Sequence, residues 1–159
     1  MGKQRPAVEL ASAAHGSSAT GRGGDCVFLS CFEHEVHFLA ALLAQDGIRL
    51  HHATTLEAAD FMLLATGGTT LIVDTTFLDG SWEDALAMIG SLHPLAATLV
   101  CADPVDRDLL ANARDRGAFD VLWRPVDLDR LRSAIRLALE VTAERRLWSA
   151  AGACLVPAK

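Results

Sequence analysis

Four short apolar runs in this chain each stop at residues whose side chains can do chemistry. Residues 26–31 end in Ser30-Cys31, and residues 70–74 end in Asp74. Residues 97–101 end at Cys101, with Ala102 next, and residues 119–123 are followed by Arg124-Pro125. The set is a hydroxyl, two thiols, a carboxylate and a guanidinium. Asp74 reads either as a nucleophilic carboxylate or as a cap on the loop that leaves its strand. Arg124 stays charged and presents a planar fork of N–H donors suited to phosphate or carboxylate. Cys31 and Cys101 raise a redox idea, but the strand ending at Asp74 should lie between theirs. Two spacings of ~4.8 Å exceed the reach of a disulfide, about 7 Å between Cα atoms. Small, buried thiols are the better reading.

Other constellations carry less. His34, Glu35 and His37 lack the HExxH spacing and have no ligand partners in sequence, so a solvated helix face is expected. Gly21, Gly23 and Gly24 precede a strand rather than follow one, the wrong context for a dinucleotide. Four cysteines, at 26, 31, 101 and 154, show no zinc-type pairing. No apolar run approaches the ~20 residues that cross a bilayer. No charged-then-apolar leader opens the chain. Reduced thiols and a cytoplasmic location are therefore expected. A net charge of −6 argues against nucleic acid as a partner, and a membrane is not expected either.

These residues must be positioned by the elements between them. Residues 33–46 carry Val36, Leu39, Leu42 and Leu43 at helical spacing and stop at Gly47. Residues 48–52 alternate as an edge strand would. Thr54-x-x-Glu57 predicts a capping box for a helix ending before Gly67-Gly68, and Ser81-x-x-Asp84 opens another that runs to about Leu92. Asp103-Pro104 predicts the start of a helix reaching Arg116. Asp127 caps a last helix whose inward stripe is Leu128, Leu131, Ile135, Ala138 and Thr142. Strands alternating with helices predict an α/β fold, with a parallel sheet covered on both faces. The most apolar strands, 26–31, 70–74 and 97–101, belong at its centre.

Residues 117–131, GAFDVLWRPVDLDRL, resemble the last strand and helix of response-regulator receiver domains, which typically read GAxDYLxKPFDxxEL. Residues 71–74, Leu-Ile-Val-Asp, resemble the central strand of that family, which ends in its phosphoacceptor Asp. Motif order and spacing fit from residue 25 to about 142. The resemblance implies a flavodoxin-like, doubly wound (βα)5 sandwich with a five-stranded parallel sheet in the order 2-1-3-4-5. It makes Asp74 the candidate phosphoacceptor. It places Ser30 and Cys31 where the family has its Mg²⁺-binding acidic pair, Cys101 or Ala102 where it has Thr or Ser, and Arg124 where it has Lys. Arg124-Pro125 is then expected to be cis. Mg²⁺ prefers hard oxygen ligands, so losing roughly two carboxylate charges should weaken it sharply. Glu33 and Asp79 are close in sequence, but Glu33 is expected to face outward.

The leading expectation is an atypical single-domain receiver, not an enzyme, with no cofactor. It would act as a protein-interaction module of two-component signalling. The alternative is a working phospho-receiver, with Mg²⁺, that takes phosphate on Asp74 from a histidine kinase. A small flavodoxin-like enzyme or ligand-binding domain is a third, weaker class. The expected organisation is a flexible lead over 1–24, a receiver-like domain over 25–145 and a tail over 146–159. With nothing following Lys159, output should be by binding a histidine kinase, a downstream signalling protein or a second copy. The resemblance implies a face built from 104–116, 119–123 and 128–142, including Asp106, Arg107, Asp108, Arg114, Asp115, Arg130 and Arg132. Trp148 is a further candidate contact.

Overall fold

Five strands pair in parallel: β1 (Asp25–Leu29), β2 (Arg49–Ala53), β3 (Thr70–Asp74), β6 (Ala97–Ala102) and β7 (Asp120–Trp123). Their order across the sheet is β2-β1-β3-β6-β7, which is 2-1-3-4-5 when only these strands are counted. We describe residues 23–154, from a computed structural model. The lead expected over 1–24 falls almost wholly outside them, as does the end of the chain after Cys154. Every residue of β3 and β6 is buried, whereas β2 is largely part-exposed, as an edge strand should be.

Side-chain alternation divides the core in two. Val27, Leu29, Leu71, Val73, Val100 and Val121 point to one face. There they meet α2 (Leu56–Thr66), α3 (Trp82–Leu92) and α4 (Leu109–Asp115). Phe28, Ile72, Leu99 and Leu122 point to the other, against α1 (Glu33–Ala44) and α5 (Leu128–Cys154). Val36, Leu39 and Leu43 form the buried stripe of α1; Leu131, Ala134, Ile135, Ala138 and Thr142 form that of α5. Asp127 caps α5 by accepting the Arg130 N–H at 2.8 Å. At the other end of the sheet the Thr69 and Thr142 hydroxyls lie 2.8 Å apart in the interior.

Several local expectations are corrected. The cap of α2 is Thr55, whose hydroxyl accepts the Ala58 N–H at 3.1 Å. Thr54 instead offers its carbonyl to the Leu78 N–H. The helix predicted from Asp103 begins only at Leu109. The Asp103 carbonyl accepts the Asp106 N–H, and Asp106 Oδ1 accepts the Leu109 N–H at 3.2 Å. Closely spaced Asp side chains compete with helical bonding here and hold turns instead. The segment after Asp74 folds into a small hairpin, β4 (Thr76–Phe77) with β5 (Gly80–Ser81), that alternation did not signal. Ser81 and Asp84 open α3 as expected, with Asp84 Oδ2 accepting the Ser81 N–H at 2.9 Å. The last helix continues unbroken to Cys154, with Leu147 and Trp148 exposed. No helix among the described residues is long and apolar enough to cross a membrane.

Candidate functional site

Parallel pairing brings the carboxyl ends of the strands to one edge, where this class of fold binds its ligands. Asp74 stands opposite Cys101 in the β3–β6 register. Leu29 stands opposite Val73, so Ser30 falls beside Asp74. Ser30, Asp74 and Cys101 each come two residues after a side chain directed at α1 and α5, namely Phe28, Ile72 and Leu99. The three therefore share that face in one row. Arg124 leaves the end of β7, its N–H donating to the Ala102 carbonyl at 2.8 Å, and the Arg124–Pro125 bond is cis.

The centre of the site is an ion triad. Arg124 Nη2 donates to Asp74 Oδ1. Arg124 Nη1 donates to both oxygens of Glu35, at 2.9 and 2.8 Å. The Phe32 ring covers the guanidinium, with its centroid 5.2 Å from Cζ, close enough for a cation–π contact. Phe32 is placed in turn by its N–H, which donates to Ser30 Oγ at 2.9 Å. His52 Nε2 reaches the Ser30 carbonyl at 2.8 Å, so that nitrogen carries the proton.

Burial and charge pull the triad in opposite directions. Asp74 is 3 % exposed. Desolvation pushes its carboxyl above the ordinary range; the Arg124 bond and the nearby Ser30 hydroxyl offset this only in part. Oδ2 of Asp74 is buried without a hydrogen-bond partner of good geometry among the described residues. For Arg124, burial works against the charge, but the bonds to Asp74 and Glu35 outweigh it and raise the pKa. Burial, with the Asp74 charge beside it, keeps the Cys101 thiol protonated.

The candidate residues now separate. Ser30, Asp74, Cys101 and Arg124 come together. Ala102 packs with the core on the opposite face, which leaves Cys101 at the level of Asp74. Cys31 is exposed, and Glu33 faces outward as expected. Asp79 is drawn away: its Oδ1 accepts the N–H of Leu56 at the start of α2, 3.1 Å distant. The residue that sequence reasoning missed is Glu35. A solvated helix face holds for His34 and His37, which are exposed, but not for Glu35. Its position in the first turn of the helix that follows β1 was the available signal, because that turn abuts the strand ends.

The donor set does not suit Mg²⁺, the ion this fold family implies. Asp74 offers one free oxygen, and its other oxygen and both of Glu35 are engaged by a guanidinium. Ser30 Oγ already accepts the Phe32 N–H, and the remaining candidates are thiols, which are poor Mg²⁺ ligands. No group of three or more metal-ligating side chains gathers among the described residues.

By sequence the chain matches no family model and no curated protein. Its backbone is similar to solved receiver domains. The signal receiver domain of a putative Luxo repressor protein from Vibrio parahaemolyticus superposes with a TM-score of 0.71 at 20% identity, over 78% of this chain and 95% of that one. The signal receiver domain of an HD domain-containing protein from Pseudomonas fluorescens gives 0.68 at 25% identity, over 77% and 99%. NtrX from Brucella abortus in complex with ADP gives 0.72 at 19%, over 80% of this chain but 29% of that one. The fold is thus that of response-regulator receiver domains, with Asp74 at the end of the central strand.

Proposed function

We propose that this protein is an atypical receiver of two-component-type signalling that acts by binding protein partners, not as an enzyme. It works in the cytoplasm without Mg²⁺-dependent phosphorylation. The observation that carries the reading is the triad. A phosphoryl group on Asp74 needs its charge neutralised by a metal and a cation together. Here one arginine is committed to two carboxylates, and thiol and hydroxyl stand where metal ligands are needed. The partner is a histidine kinase, a downstream signalling protein or a second copy. The surface formed by α4, β7 and α5 offers a cleft of about 290 Å³ lined by Leu110, Arg114, Asp120, Trp123, Val126 and Arg130. The receiver-like unit spans 25–145, and the helix beyond it presents Trp148 to solvent.

A specific observation favours the alternative, a working phospho-receiver: Asp74 is buried at the strand end, and among the described residues its Oδ2 has no hydrogen-bond partner of good geometry. Incubation with acetyl phosphate and Mg²⁺, followed by intact-mass measurement, separates the two. The expected result is an unmodified chain. A Mg²⁺-dependent phosphoryl adduct that disappears in Asp74→Ala would overturn the proposal in favour of phosphotransfer.

A further inference from the structure

We infer that Glu35 and Asp74 together form a two-carboxylate cation site, which the Arg124 guanidinium fills in place of a metal ion. The inference deepens the proposed function, and rests on its reading that this receiver needs no Mg²⁺. Glu35 enters from α1, not from the end of β1, so the counter-charge missing at Ser30 and Cys31 has been supplied from a different element. The arrangement is built rather than incidental. Arg124 makes three charged hydrogen bonds, two to Glu35 and one to Asp74, and lies under the Phe32 ring. Its side chain is 21 % exposed and that of Asp74 is 4 %. The other oxygen of the same carboxylate, Asp74 Oδ2, is buried and has no hydrogen-bond partner of good geometry among the described residues, so the carboxylate keeps capacity for a cation.

The consequence is structural as well as chemical. The guanidinium ties three elements: the end of β3 through Asp74, the start of α1 through Glu35, and the β7–α5 turn on which Arg124 sits. A metal can leave such a site, whereas a covalently attached cation cannot. The site therefore keeps one positive charge beside its two carboxylates whether or not a divalent ion is present.

The experiment is a titration of ¹⁵N-labelled full chain with Mg²⁺, and with Mn²⁺ as a paramagnetic probe. Wild type, Arg124→Ala and Arg124→Ala/Glu35→Gln are compared. Removing the guanidinium frees two facing carboxylates, and Arg124→Ala should bind either ion at least about tenfold more tightly than wild type. Mn²⁺ should then broaden the amides around Asp74 and Glu35, and the double variant should lose this gain. Arg124→Ala with no gain, or a gain that survives Glu35→Gln, would overturn the inference. Should Arg124→Ala prove unfolded, Arg124→Gln, which keeps N–H donors but not the charge, takes its place with the same outcomes. The phosphodonor assay on wild type decides the proposed function by itself, so the two ideas fail separately.

Discussion

Arg124 Nη1 lies 2.9 and 2.8 Å from the two oxygens of Glu35, a residue 89 positions earlier in the chain. The pair joins the last turn of the sheet to the first helix and leaves the other end of the guanidinium for Asp74.

The triad should respond unequally to loss of its members. Asp74 has its pKa raised above 3.8, so its charge opposes folding, increasingly as pH rises from that value towards the folded pKa. Asp74→Asn removes that cost and leaves Arg124 paired with Glu35, so the melting temperature at neutral pH should hold or rise. Arg124→Met leaves a buried carboxylate with no cation and should cost about 2–4 kcal/mol. Urea denaturation of both variants checks this; an Asn variant less stable than the Met variant would contradict it.

Asp25 predicts the acid side of the stability curve. The Arg49 guanidinium, 2.6 Å away, holds its carboxyl down at about 2, with His51 adding to the effect against the cost of burial. The folded pKa lies below the ordinary 3.8, so the stabilisation is present above that value and is lost as pH falls towards 2. Asp25→Asn should melt lower than wild type at pH 6, and the gap should close across that window in thermal scans.

The Thr69–Thr142 contact predicts a coupled pair. Thr142 donates to the Leu139 carbonyl at 3.1 Å, so the hydrogen between the two hydroxyls belongs to Thr69. Thr142→Val strands the buried Thr69 donor and should cost about 1–2 kcal/mol. Thr69→Val/Thr142→Val should be less damaging than the sum of the single changes, which a double-mutant cycle reads directly.

Two arginines expected on one interaction face behave differently. Arg130 bonds Asp120 at 2.7 Å and lines the cleft beside α4. Arg132 instead bonds Asp46, just past α1, at 2.6 Å, so its inclusion in the α4–β7–α5 face is corrected. Arg130→Glu should shift stability by less than about 0.5 kcal/mol, since its side chain is largely exposed. Arg132 is the less exposed of the two, 25 % against 58 % for Arg130, so Arg132→Glu should lower the melting temperature more than Arg130→Glu does. Equal effects would refute the assignment of the two residues to opposite sides of α5.

The sheet was legible in the sequence, because buried parallel strands are short and mostly apolar, as 70–74 and 97–101 are apart from Thr70, Asp74 and Thr98. The order 2-1-3-4-5 needed the family resemblance as well, since hydrophobic pattern does not choose among doubly wound orders. Asp74 and Arg124 were legible as site residues because one ends a strand and the other follows one, and strand ends define the ligand edge of such a fold. Glu35 was not legible: its neighbours His34 and His37 face solvent, and a carboxylate in a first helical turn looks the same whether it meets water or a guanidinium. The Asp103–Asp108 turns were hidden for a related reason, because a capping residue and a competing residue are the same amino acid. Only tertiary structure could decide these cases. A charged side chain's role depends on the groups brought against it from distant parts of the chain, whereas a run of apolar side chains at strand spacing marks a buried strand by itself; single apolar residues such as Phe61 and Trp148 stay exposed.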